Sequence, residues 1–105
     1  MAENRKYKVI ISDKAKRMLG SHLRFLANAD KKAAANLKSK IMFALRTLEE
    51  MPERYPFFNE IYIPPNKYHK MIIEKRYLAL YQIKDNIVYV DYFFDCREDY
   101  NWLIH

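Results

Sequence analysis

The 105 residues predict an α+β domain in the order β-α-α-β-β-β, a helical hairpin packed on one face of a mostly antiparallel four-stranded sheet. Three observations predict it. Two apolar stripes of helical period stand side by side with a very short break between them. A short β-branched run precedes them. Three strand-like runs come after, the last two joined by Asp85-Asn86, residues that suit a tight hairpin turn.

Tyr7 to Ser12 (YKVIIS) reads as the first strand. Ser12 can cap the next helix through its hydroxyl. Ala15, Met18, Leu19, His22, Leu23 and Leu26 then form one stripe of a helix over about residues 13–28. Gly20, the sole glycine, lies inside that helix and suggests a close helix–helix approach, since glycine there otherwise costs stability. Asp30 is a good N-cap for a second helix, running to about Met51 on the stripe Ala34, Leu37, Ile41, Ala44, Leu45 and Leu48. So short a break implies an antiparallel helical hairpin.

Pro52 and Pro56 stop the helix. Residues 52–68 make a long connection with four prolines, which Tyr55, Phe57, Phe58, Tyr62 and Tyr68 are expected to pin to the body. Strands are then expected over His69–Glu74, Tyr77–Lys84 and Ile87–Asp95. Alternation puts Leu78, Leu80 and Gln82 on one face of the middle strand, with Tyr77, Ala79, Tyr81 and Ile83 on the other. The last strand is apolar on both faces apart from Asp91, as a central strand would be. Arg97 to His105 reads as a short helical turn anchored by Trp102 and Leu103. The sheet face away from the helices is expected to stay available.

Composition narrows the class. Half the residues are hydrophobic and 15% aromatic, enough to fold one core, so residues 1–105 are read as a single domain. One cysteine, Cys96, excludes an internal disulfide and fits a reducing cytoplasm. No apolar run is long enough to span a bilayer, and the charged start MAENRKYK predicts no signal peptide. The net charge of +6 is unevenly placed: residues 1–50 hold 12 Lys and Arg against 5 Asp and Glu, residues 51–105 hold 7 against 8. A basic first half favours polyanions or an acidic protein partner. Lys14, Arg17, Ser21 and Arg24 share one helix face, for which a plain solvated face is the competing explanation. His22, His69, His105 and Cys96 have no metal-ligand spacing, so no metal or other cofactor is expected.

The order of elements, with YKVIISDKAKRML, ALRTLEEMPERYP and RYLALYQIKDNIVYVDYFFDCREDY in sequence, resembles the RelE/ParE toxin superfamily of plasmid-stabilisation proteins over nearly the whole chain. The resemblance implies the toxin of a type II toxin–antitoxin pair, neutralised by a cognate antitoxin whose disordered segment folds on binding. It implies one of two mechanisms. RelE-like members cleave mRNA on the ribosome without a metal, by attack of a ribose 2′-hydroxyl on the adjacent phosphate. That needs a base, an acid and cations for the developing charge. ParE-like members poison DNA gyrase and need only a binding surface. A third possibility is an inactive toxin kept as half of an antitoxin complex.

For the nuclease, the catalytic candidates are Arg97 as the terminal arginine, Lys70 on the preceding strand, Tyr100 as a stacking aromatic and His69 as a base. Arg76 and Lys75 near the turn, with Trp102 and His105, are candidates for substrate binding. Each has a structural reading beside it: an ion pair with neighbouring acids for Arg97, an edge-strand lysine for Lys70, packing for Tyr100 and Trp102. One position departs from the pattern. Nucleases of this kind often read Tyr-Arg-Leu-x-Tyr in the middle strand; this chain reads Tyr77-Leu78-Ala79-Leu80-Tyr81, with leucine in place of the phosphate-binding arginine. The nuclease is the first expectation, on family prevalence alone, and the gyrase inhibitor the alternative, to which Leu78, the near-neutral second half and the basic helical hairpin lean.

Overall fold

A computed structural model of the chain describes residues 6–60 and 63–96. Strand β1 spans Lys8–Ile11, helix α1 Asp13–Ala29 and helix α2 Lys31–Arg46; strands β2, β3 and β4 span His69–Ile73, Tyr77–Lys84 and Ile87–Asp95. The sheet order is β1-β4-β3-β2. β4 pairs parallel with β1 and antiparallel with β3, and β2 pairs antiparallel with β3. β4 is therefore interior, as its apolar sequence requires.

Both predicted caps form. The Ser12 hydroxyl accepts the Ala15 amide at 3.0 Å, and the Asp30 carboxylate accepts that of Ala33 at 3.0 Å. The second helix is shorter than expected. It ends at Arg46 and tightens into a 3-10 turn over Thr47–Glu49. Thr47 turns its hydroxyl back onto the Ala44 carbonyl at 2.6 Å, and Met51 takes φ 49° ahead of Pro52. Arg54 then donates to the Glu50 and Met51 carbonyls at 2.6 and 3.1 Å, holding this irregular stretch against the helix end.

The helices cover one face. Ala15, Leu19, Ile41, Leu45 and Leu48 pack against Met71, Ile73, Tyr77, Ala79, Tyr81, Val88, Val90 and Phe93. Gly20 plays no part in this. A methyl group there would meet only the Arg24 guanidinium, at 3.7 Å, so the expected close helix contact is absent.

The opposite face, expected to stay available, is covered at its centre. Phe58 and Tyr68, both in the proline-rich connection, pack on Leu78, Leu80 and Phe94 as a second core. The connection doubles back on itself: the Phe58 amide donates to the Tyr68 carbonyl at 2.6 Å and the Lys70 amide to the Pro56 carbonyl at 2.9 Å. A β-bulge at Asp91 aligns the layer. Leu80 opposes Tyr92 while Tyr81 opposes Val90, so Asp91 is the extra residue. Its carboxylate accepts from the Tyr68 hydroxyl at 2.9 Å and the Gln82 amide at 2.8 Å. That accounts for the one acidic residue in an otherwise apolar strand interior.

Candidate functional site

Among the described residues, the catalytic candidates His69 and Lys70 do not converge. His69 and Lys70 are neighbours on β2 and point to opposite faces. His69 lies on the helix side, opposite Tyr81 in register and 8% exposed. Its ring stacks between Phe57 and Tyr81, at centroid distances of 4.2 and 5.2 Å. Its Nδ1 lies 2.7 Å from the Tyr55 carbonyl, which can only accept, so Nδ1 carries the proton. Lys70 lies on the outer face, its ammonium 5.9 Å from the centre of the Phe58 ring.

Lys75 and Arg76 belong to the turn between β2 and β3. Glu74 and Lys75 take φ 54° and 60°, and the Arg76 amide returns to the Ile73 carbonyl at 3.2 Å. Positive φ at both central residues is the type I′ pattern, normally filled by Asn and Gly. Arg76 grips Asp95 with two bonds, Nε to Oδ1 at 3.1 Å and Nη2 to Oδ2 at 2.7 Å. His22 reaches the same carboxylate at 3.8 Å through Nδ1, and its Nε2 lies 2.9 Å from the Tyr77 hydroxyl. This cluster, with Asp95 3% exposed, binds α1 to the ends of β3 and β4. Arg97, Tyr100, Trp102 and His105 lie outside the described residues. Among the described residues no three His, Cys, Asp or Glu side chains are grouped to hold a metal, and no helix is long and apolar enough to cross a membrane.

Leu78, which the resemblance sets where such nucleases often have arginine, lies in β3. It is fully buried, between Ile72 on β2 and Phe94 on β4 in register and beneath the second core. The surrounding polar groups are held by structure. Burial, reinforced by the bond to Asp91, pushes the Tyr68 hydroxyl pKa up. Burial does the same to Tyr81, whose hydroxyl donates to the Pro52 carbonyl at 2.6 Å. Burial also raises the Cys96 thiol, which makes it a poor nucleophile.

Two further surfaces are exposed; sequence reasoning missed the first and had already grouped Lys14, Arg17, Ser21 and Arg24 of the second. One is a groove of about 530 Å³ between α2 and the edge strand β2, with Lys40 and Phe43 on one wall and Ile72 and Glu74 on the other. Phe43 is 71% and Ile72 53% exposed. Beyond Lys70 the outer edge of β2 has no strand partner among the described residues. The signal lay in Phe43, off the stripe of α2, and in Ile72, which alternates away from Met71 and Ile73. The other surface is the outward face of α1, where Lys14, Arg17, Ser21, Arg24 and Asn28 recur at helical spacing and are all exposed.

Comparison with known proteins accords with this architecture. No curated protein sequence matches the chain. Its backbone resembles a chain described as "Chromosomal ParDE TA system from P. aeruginosa", with a TM-score of 0.72 at 11% identity, over 87% of this chain and 97% of that one. At that identity the likeness is one of fold. Residues 9–100 match the family described as "ParE toxin of type II toxin-antitoxin system, parDE". That span runs from within the first strand to beyond the last, and the chain belongs to the ParE toxin family.

Proposed function

We propose that this protein is the toxin of a type II toxin–antitoxin pair and that it acts by binding and inhibiting DNA gyrase, as the ParE-like branch does. The observation that carries this reading is the apolar outer layer. Phosphoryl transfer requires cations aimed at the phosphate and an acid–base pair within hydrogen-bond reach of the reacting oxygens. Here the position that would present an arginine is Leu78, at 0% exposure under Phe58 and Tyr68. His69 and Lys70 face apart, and Arg76 is committed to Asp95. A toxin that works by occupying a partner's surface needs none of these groups to converge.

The antitoxin partner is expected in the groove between α2 and β2. An extended segment entering there can add to the open edge of Met71–Ile73, lay apolar side chains on Phe43 and Ile72, and set acidic ones against Lys40. The ribosome-dependent nuclease remains the second reading, supported by Lys70 on the outer face and Arg97 in the sequence after β4. Purified chain with gyrase, ATP and relaxed plasmid separates the two. Loss of supercoiling, with mRNA left intact in a translation extract, is the expected result. Cleaved mRNA and unaffected gyrase would reverse the assignment. Neither effect would indicate the inactive homologue.

A further inference from the structure

We infer that the outward face of α1 is a docking surface for the phosphate backbone of duplex DNA. α1 and α2 together carry nine Lys and Arg against one Asp. Among the described residues only Lys40 of the nine has a carboxylate within 4 Å, Glu74 at 3.8 Å. Soluble helices usually intersperse both signs; a field of one sign marks attraction of a polyanion.

The row Lys14, Arg17, Ser21, Arg24 and Asn28 consists entirely of side chains that donate to phosphates. It is straight and spans about 21 Å of helix axis. A duplex presents one charge per about 1.7 Å of its own axis, so a rigid row of this length meets several phosphates at once. An acidic peptide would seek several apolar anchors as well; the groove between α2 and β2 offers Phe43 and Ile72 together, whereas beside this row Phe25, 69% exposed, stands alone among the large apolar side chains.

Gly20 is the second, independent sign. It is the only glycine of the chain and flanks the row, beside Ser21 and Arg24. No packing requires it, since an added methyl would touch only the Arg24 guanidinium. A glycine inside a helix is otherwise a burden, unless another backbone must approach closely. A phosphate backbone lying along the row supplies that reason.

The contact is sequence-independent and distinct from the binding of gyrase itself. Its test uses naked DNA, so it can fail while the gyrase reading stands, or the reverse. Fluorescence anisotropy of the purified chain with a short labelled duplex of mixed sequence at low salt should show saturable binding. Arg17→Ala with Arg24→Ala should weaken it by about tenfold or more and flatten the salt dependence by about two units of slope. Lys67→Ala with Lys84→Ala removes the same charge away from the row and should leave binding close to wild type. Gly20→Gln adds bulk without charge; it should weaken binding while the melting temperature holds or rises. Circular dichroism of each variant checks the fold. Absence of binding at low salt, equal losses in both double variants, or equally effective competition by a polyglutamate peptide would each overturn the inference. The last outcome would assign the row to an acidic protein.

Discussion

Leu78 faces away from the helices, with Ile72 opposite it on β2 and Phe94 opposite it on β4. Replacing it with arginine would put a cation among Phe58, Leu80 and Phe94, where the Asp91 carboxylate bordering the cluster already accepts from Tyr68 and Gln82. The cost should be about 3 kcal/mol or more, read from urea unfolding, and no RNA cleavage should appear. Gly20→Ala should act in the opposite sense, stabilising by about 0.5–1 kcal/mol in the same assay, because the helix gains propensity and meets no clash. Tyr81→Phe leaves the Pro52 carbonyl without its buried donor and should cost about 1–2 kcal/mol at neutral pH. Its effect also depends on pH. Burial holds the proton on Tyr81 and Tyr68 above the ordinary tyrosine value, so the folded state keeps protons that the unfolded chain releases above a pH of about 10. That part of the stability is full below this pH and lost as pH rises toward the folded values. Tyr81→Phe should therefore show a shallower alkaline decline than wild type. Among candidate side chains, Leu78 was legible in the sequence by its departure from a pattern. The stacked burial of His69 was not, because strand alternation shows that His69 and Lys70 face opposite ways but not which face lies against the helices.

The helical elements were legible because their signals are local: period, cap and break all lie within a few residues of the structure they specify. Ser12 and Asp30 cap where expected, and both stripes face the sheet. The end of α2 was harder to place. Leu48 continues the stripe and is fully buried, yet it sits in a 3-10 turn, and period alone does not separate the two geometries. The proline-rich connection was recognisable as pinned, but the face it covers depends on long-range pairing of Phe58 with Tyr68. The bulge at Asp91 depends likewise on what stands opposite. The turn between β2 and β3 carries strain of its own. Glu74 and Lys75 both occupy the left-handed region, at about 1 kcal/mol or more for each non-glycine residue. Lys75→Gly should stabilise the protein by about 1 kcal/mol in thermal or urea unfolding. If Lys75 instead contacts substrate as the nuclease reading supposes, activity would fall while stability rises.

Across the whole molecule, charge and apolar surface are divided between regions. The basic charge lies on the helical hairpin, the apolar groove between α2 and β2, and the centre of the remaining sheet face is covered by the connection. The sequence disclosed the charge division directly, since counting needs no fold. It could not disclose that the centre of the outer face is covered. That division suits a protein that acts by surface contact. The most direct test is one toxin preparation assayed in parallel on purified gyrase with plasmid and in a translation extract with labelled mRNA. Gyrase inhibition with accumulated gyrase–DNA cleavage complexes, reversed by the cognate antitoxin and accompanied by intact mRNA, is the expected result. Cleaved mRNA beside fully active gyrase would contradict it.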